Sequence, residues 1–460
     1  MDRNAGRRFH VVAIPYPGRG HINPMLNLCR LISFKQPDFL ISFVVTEEWL
    51  GLIGCESKPC NVHFVTMPNV IPSELHRGKD TTRFIEAVCT KMEDPFDQLL
   101  DRLEMPANVI VADNFVSWAV CVGNRRNIPV AFLWPMSAIV FSLFYNFDLF
   151  LKNKHLPLTN PERGEERVGY IPGISSIRLA DLPTIIYSKD QLKFNRVLEV
   201  MARGRRAQYQ LFSSMYELEP QVISAQRQEF TFPTYSIGPL VPHSRLQNHF
   251  SSNNGSNLYS EWLDSQPDNS VLYVSFGSFL SVSSAQVDEI AAALRAGSVR
   301  YFWVARDEST SRLQETCGEM GMVASWCDQL RVLCHPCIGG FLTHCGWNSI
   351  QEGIYAGVPF LTFPITMDQV PNSKLVEEDW KIGWRLNRNA WMMRETEYLV
   401  KREEIVSFVQ RLMDLQSEEG KEMRKRVKQL QGICRLAIEE GGSSETNLDN
   451  FVKDISCVPP

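Results

Sequence analysis

The residues best suited to chemistry fall between Trp326 and Gln369, in the run WCDQLRVLCHPCIGGFLTHCGWNSIQEGIYAGVPFLTFPITMDQ. At its centre, His344-Cys345-Gly346-Trp347-Asn348-Ser349 follows a β-rich stretch (338–343) and opens a helical pattern. Gly346 is expected to let the backbone approach a ligand, and Asn348 and Ser349 to cap the helix while offering polar groups to an anion. A helix N-terminus carries free N–H groups and the positive end of the helix dipole, which makes it a phosphate site. Glu352 lies one turn beyond Asn348 on the same face, where a carboxylate can accept hydrogen bonds from a ribose diol. Gly357-Val358-Pro359 stops the helix, an apolar strand (360–363) follows, and Asp368-Gln369 is expected in the loop after it. In open parallel sheets ligands collect at the carboxyl ends of strands. These residue types in this order suit a sugar nucleotide.

A second constellation lies far upstream. Pro15-Tyr16-Pro17-Gly18-Arg19-Gly20-His21-Ile22-Asn23-Pro24 follows the first apolar strand; Asn23 reads as an N-cap and Pro24 as the first helical residue. His21 is then a loop residue at a strand's carboxyl end. Taken singly, a loop histidine has no special duty. Asp113 changes the reading, because it ends another apolar strand (109–112), and parallel strands bring both side chains to one edge of the sheet. Neutral imidazole has a pKa near the operating pH, and a carboxylate on its far nitrogen fixes the tautomer and stabilises the imidazolium. Such a pair can take the proton from an attacking hydroxyl.

Both constellations need parallel α/β sheets to hold them. The first half alternates short β-branched or aromatic runs (11–14, 40–45, 63–66, 109–112, 130–134) with helical patterns such as 82–103. Near residue 240 the texture becomes Pro-rich and polar, and alternation restarts with 271–276, the helix 285–295 and 301–305. The chain thus divides into a Rossmann-like domain (1–240), a linker (241–258) and a second Rossmann-like domain (259–440) facing the first across a cleft. With 460 residues, two domains are the natural prior. A net charge of −5 without basic blocks argues against nucleic acid or an anionic membrane as partner. The apolar segment 128–151 contains Pro129, Pro135, Asn146 and Asp148, so it splits into a buried strand and a helix from Ser137 rather than spanning a membrane. Twelve cysteines in no regular framework, with no secretory signal, suit reduced thiols in a cytoplasmic protein.

The run from Trp326 to Asp368-Gln369 also resembles, almost position for position, the signature box of the plant secondary-product glycosyltransferases, the UDP-sugar-dependent family 1 enzymes. The resemblance implies the GT-B arrangement of two Rossmann-like domains, with a C-terminal helix (441–460) returning to the first domain. It implies that Trp326 stacks on uracil, that Cys327 and Gln329 contact the base largely through backbone, and that Glu352 holds the ribose. His344, Asn348 and Ser349 would meet the diphosphate, with Ser278 near it in a loop after the strand 271–276, where a simple turn serine is nearly as good a reading. Trp347, Asp368 and Gln369 would read the sugar hydroxyls, and the final Gln leans toward UDP-glucose. His21 and Asp113 match the family's base and its partner. The implied reaction is inverting transfer to a hydroxyl or carboxyl of a small lipophilic acceptor, by a monomer. UDP-sugar serves as co-substrate, with no further cofactor and no metal. One departure stands out: Trp134 is followed by Pro135, where the family often has Thr or Ser able to reach the sugar 6-hydroxyl.

Other readings are weaker. Gly18-Arg19-Gly20 begins a dinucleotide fingerprint but lacks its third glycine. Cys334-His335-Pro336-Cys337 is a single C-x-x-C without a second pair for zinc. No G-x-S-x-G occurs for an α/β-hydrolase. A catalytically silent nucleotide-sugar binder would have little use for His21 and Asp113. The acceptor pocket is expected from the loops 69–80, 134–150 and 179–193, which are apolar and aromatic with few charges.

Overall fold

The structure is a computed structural model that describes residues 8–78, 80–156, 161–187, 191–242, 258–277, 282–305, 309–388 and 399–457. Two parallel sheets organise it. The first contains β1 (His10–Ile14), β2 (Leu40–Thr46), β3 (Val62–Met67), β4 (Val109–Asp113) and β5 (Val130–Trp134). A short antiparallel ribbon follows, of β6 (Arg167–Val168) and β7 (Ile177–Arg178), before β8 (Tyr209–Phe212) and β9 (Thr234–Ser236) rejoin the sheet. Its strand order is β3-β2-β1-β4-β5-β8-β9. The second sheet contains β10 (Val271–Ser275), β11 (Arg300–Val304), β12 (Gly321–Ala324), β13 (Ile338–Thr343), β14 (Phe360–Thr362) and β15 (Gly383–Arg385), in the order β12-β11-β10-β13-β14-β15. β1, β4, β5, β10 and β13 are buried along their whole length, as continuous apolar runs covered by helices on both faces require.

Strand order reverses beside β1 and β4 in the first sheet and beside β10 and β13 in the second. At such a switch point successive crossovers leave on opposite faces, and a crevice opens at the carboxyl edge. His21 follows β1 and Asp113 ends β4; His344 follows β13. Topology therefore delivers the singled-out residues to the two crevices.

Three sequence expectations are corrected. The helical pattern 82–103 is two helices, Thr81–Lys91 and Glu93–Arg102. Pro95 has no N–H for the Lys91 carbonyl and its ring would strike it, so the helix breaks at Met92. Asn23 is not an N-cap: the helix runs Arg19–Lys35 from Gly18, and Pro24 lies inside it. Asp368 is itself the N-cap of a short helix, Gln369–Lys374, rather than a loop residue. The segment 128–151 does divide after a buried strand, β5, but its helical part is two helices, Ala138–Tyr145 and Phe147–Lys152, where one was expected, and no described helix is long and apolar enough to cross a membrane. Most of the polar linker, 243–257, lies outside the described residues.

The two halves are joined by buried polar contacts. Asp181, in the turn after β7, lies between two guanidiniums: Arg178 donates from Nε and Nη2 (2.8 and 2.9 Å), and Arg385 of β15 donates from the second domain. Asp181 and Arg385 are essentially without exposure. Burial pushes the Asp181 carboxyl up, but Arg385 and Arg178 outweigh it and hold it below the ordinary range. The indole of Trp347 and the amide of Gln351 (2.6 Å) both donate to Ser213 O, and Gln351 Oε1 accepts from Leu240 N (3.0 Å). The helix Ser443–Ser456 seats Leu448, Phe451, Val452 and Ile455 in the first sheet's core, and Asn447 Nδ2 donates to Ser236 O (3.0 Å).

Removing one member of a buried ion pair strands the other, at a cost of about 3–5 kcal/mol. Asp181→Ala is expected to lower unfolding stability by that order in urea titrations at neutral pH. The carboxyl's depressed pKa means its contribution is present above the unfolded pKa and lost as pH falls through the folded one. A loss below about 1 kcal/mol would contradict this account.

Candidate functional site

His21 lies in the first turn of the helix Arg19–Lys35, where its N–H reaches Gly18 O (2.9 Å). Its Nδ1 is 2.8 Å from Asp113 Oδ2. Asp113 is fully buried, and its other oxygen accepts from Phe115 N (2.9 Å), so both carboxylate oxygens are satisfied. Tyr16 and Phe115 flank the imidazole, with ring centroids 4.9 and 5.7 Å away. With Nδ1 engaged, Nε2 is the nitrogen left for the cleft, which His21 lines. The expected pair is therefore assembled, from a helix turn rather than a loop.

Pro24 has a consequence here. Its missing N–H is the one that would bond Gly20 O, four residues back. Asn348 of the second domain supplies that donor instead: its Nδ2 lies 3.0 Å from Gly20 O, across 328 residues of chain.

Opposite stands the helix Trp347–Ala356, whose N-cap is Gly346 with no side-chain cap. Asn348 and Ser349 are thus first-turn residues, not caps. The first ladder donor is Ile350, bonded to Gly346 O (3.1 Å), so the N–H groups of Trp347, Asn348 and Ser349 precede the ladder at the positive end of the helix. Gly346, Trp347, Asn348 and Ser349 all border the cleft. The room left by Gly346 is taken by protein: a Cβ there would lie 2.5 Å from His344 Nε2, and one on Gly277 equally close. Two glycines sandwich the His344 ring. Burial pushes its pKa down to about 4, with the Ser275 backbone opposing, so it is a neutral imidazole at physiological pH. The groups at this helix start, with His344 beside them, are neutral.

The cleft has about 1400 Å³ of empty space, open mouth included, and brings His21 together with Asp368 and Gln369. Burial raises the Asp368 carboxyl to about 6, partly offset by Asn372, whose Nδ2 donates to Asp368 Oδ2 (2.8 Å), and by His21. Gln369 Oε1 accepts from Ile365 N (2.8 Å) and Thr366 N (3.1 Å), which fixes the amide's orientation and leaves its NH₂ as the group to offer. Trp347 is buried and its indole N–H is committed to Ser213 O, so its polar contribution at the cleft is its backbone N–H. Pro135 lines the same cavity, with Met136, Phe144, Ile185, Val197 and Val200. The first-domain wall also carries Arg77, Lys193 and Arg196, more charge than the sequence suggested; Arg196 is paired with Glu86 and Glu199 and Arg77 with Glu74.

Trp326, Cys327, Gln329, His344 and Glu352 do not line this cavity. Trp326 is 62% exposed, a free face for stacking. Gln329 Nε2 donates to Ser349 Oγ (3.0 Å) and Glu352 Oε2 (2.7 Å), and its Oε1 accepts from Tyr273 OH (3.1 Å). That network ties the expected base, phosphate and ribose contacts together; Tyr273, in mid-strand β10, gave no sequence signal. Cys327 is buried with its Sγ 3.4 Å from Tyr273 OH. Ser278 lies outside the described residues. All twelve cysteines are free, and among the described residues no group of three or more His, Cys, Asp or Glu is arranged to hold a metal. Cys337 lies 3.0 Å from His335 Nδ1, and burial pushes its thiol up to about 12, so it stays protonated.

Residues 225–402 match the family described as UDP-glucoronosyl and UDP-glucosyl transferase. UDP-glycosyltransferase 87A1 of Arabidopsis thaliana is 50% identical over 444 residues, covering 96% of this chain and 99% of the relative. The 7-deoxyloganetin glucosyltransferase of Catharanthus roseus is 32% identical, covering 98% and 97%. Among solved structures, Medicago truncatula UGT71G1 complexed with UDP-glucose superposes with a TM-score of 0.83 at 26% identity, covering 98% of each chain.

The electrostatic reading of His344 is testable directly. Its ring resonances, assigned by comparison with a His344→Gln variant, should stay those of neutral imidazole from about pH 5.5 to 8 in the ligand-free protein. A midpoint above about 6 would show that the ring is not desolvated as the structure has it.

Proposed function

Because the chain belongs to the plant family 1 UDP-glycosyltransferases, enzymes that use a UDP-sugar as co-substrate, we propose that its donor is UDP-glucose and its acceptor a small, lipophilic molecule bearing a hydroxyl or carboxyl. The glucosyltransferase relative and the UDP-glucose in the similar structure support the donor. The apolar wall of Phe144, Ile185, Val197 and Val200 supports the acceptor class. In this reading residues 1–240 hold the acceptor, 259–440 the donor, and 441–460 fasten the end of the chain to the first domain.

The observation that carries the mechanism is the 2.8 Å contact between His21 Nδ1 and Asp113 Oδ2. His21 Nε2 takes the acceptor proton as the acceptor oxygen bonds to the anomeric carbon; the bond to UDP breaks in the same step, and the anomeric centre inverts. Asp113 holds the tautomer and stabilises the imidazolium that forms. Charge growing on UDP meets the N–H groups at the start of Trp347–Ala356, together with Asn348, Ser349 and the neutral His344. Asp368 and the Gln369 amide receive sugar hydroxyls, Glu352 the ribose and Trp326 the uracil.

An acceptor screen with UDP-glucose, read by mass spectrometry, tests the activity; UDP binding without any product would point to a silent binder. His21→Ala is expected to cost roughly 10²–10⁴-fold in turnover while UDP binding persists; retained turnover would refute the base assignment. Pro135 gives the donor no hydroxyl, so Pro135→Thr should lower the KM for UDP-glucose. Equal values in both forms would remove that residue from donor recognition.

A further inference from the structure

One buried amide occupies the junction of both domains and both halves of the site. Asn372 has no exposure and lies one helical turn after Asp368. Its Nδ2 donates to Asp368 Oδ2 (2.8 Å) and to Cys345 O (3.0 Å), and its Oδ1 accepts from Ser137 Oγ (2.7 Å). The orientation is forced: a carboxylate and a carbonyl can only accept, and of the three partners only the Ser137 hydroxyl has a proton to give. Ser137 belongs to the first domain, at the N-cap of Ala138–Tyr145, two residues after Pro135 at the cavity wall. Cys345 holds a left-handed backbone conformation (φ 67°) immediately before Gly346 and the phosphate-facing helix. A single side chain thus joins the cleft's carboxylate, the turn that aims the helix, and the first domain's wall.

We propose that Asn372 is the positioning residue for the donor sugar, holding Asp368 in the orientation and ionised form that accept sugar hydroxyls, with its own amide fixed by Ser137 across the cleft. The proposal rests on the reading of Asp368 as a sugar contact. Asn372 touches neither sugar nor acceptor itself; it acts through Asp368. It is also the neutral donor most directly placed to stabilise that carboxylate. The titratable groups that bear on Asp368 are His21, from the first domain, and Cys345, from the turn before the phosphate-facing helix. Burial pushes the Cys345 thiol up to about 12, so it brings no charge.

The sign of the effect follows from the chemistry. Burial already holds the Asp368 carboxyl up at about 6, and the Asn372 hydrogen bond opposes that rise. Deleting the donor moves the carboxyl further up, so at neutral pH a larger fraction is protonated and a weaker acceptor for hydroxyls. Raising the pH restores the carboxylate.

The test is the pH dependence of donor KM, measured with UDP-glucose and a turned-over acceptor for the wild type, Asn372→Ala and Ser137→Ala. The wild-type donor KM should worsen only as pH falls through about 6. Asn372→Ala is expected to raise donor KM roughly tenfold or more at pH 7, with the limb displaced upward so that much of the loss is recovered toward about pH 9. Acceptor KM should change little. Ser137→Ala, which leaves the Asp368 contact but frees the amide to turn, should shift donor KM in the same direction by roughly twofold to fivefold. A loss in Asn372→Ala that is equal at every pH, as packing damage alone would give, overturns the proposal. If that variant does not fold, an unchanged donor KM profile in Ser137→Ala overturns it. Absence of UDP-glucose turnover in the wild type would instead overturn the reading of the site beneath it.

Discussion

The constraint on which this structure depends is that polar groups buried between the two domains find their partners only in one relative placement. Asp181 of the first domain is buried against Arg178 and, from the second, Arg385. Ser213 O receives both Trp347 and Gln351, while Gln351 in turn satisfies Leu240 N. Thr184 Oγ1 accepts from Met367 N (2.7 Å) beside the Thr366 hydroxyl, closing the same boundary near Asp368. Apolar contact alone would tolerate sliding. A buried carboxylate or amide does not, because an unmet group costs about 1–3 kcal/mol and an unmet charge more. That discrimination holds the two carboxyl edges face to face.

Within the cleft so formed, charge is distributed with economy. The second-domain edge of the cleft presents helix-end N–H groups and the Asn348 and Ser349 side chains, and the His344 imidazole just before that helix is kept neutral by burial. Such fixed dipoles favour an anion without carrying a net charge themselves. The other imidazole is treated in the opposite way. His21 stands at the open face with the buried Asp113 carboxylate behind it. Two histidines of one chain acquire different chemistry from their surroundings: His344 is enclosed by glycines, and His21 is backed by Asp113.

Much of this was legible in the residues. Continuous apolar runs gave strands within a residue or two of their ends, because a strand buried on both faces must be apolar throughout. His21 and Asp113 were brought together by strand-end logic and do meet. Most of the errors lay at helix boundaries. Pro24 looked like a first helical residue, yet the helix begins five residues earlier. Asn348 and Ser349 looked like caps, yet Gly346 is the cap and both have other partners. Gly346 borders the cleft as expected, and the space of its missing Cβ is also needed by His344. Asn372 could have been found by its i,i+4 spacing from Asp368, but not its tie to Ser137.

The pattern in these differences is physical. What the sequence by itself determined is whatever depends on neighbours in the chain: strand burial, the order of the residues from Trp326 to Gln369, and the sheet edges at which His21 and Asp113 emerge. What only the tertiary structure decided is which polar group answers which. Pro24 leaves the Gly20 carbonyl without its helical donor, and the donor that answers is Asn348, 328 residues away on the other domain. Ser137 and Asn372 stand 235 residues apart, and Asp181 and Arg385 stand 204 apart. Hydrogen bonds act over about 3 Å whatever the chain separation. Their partners become readable only when folding has set the distances.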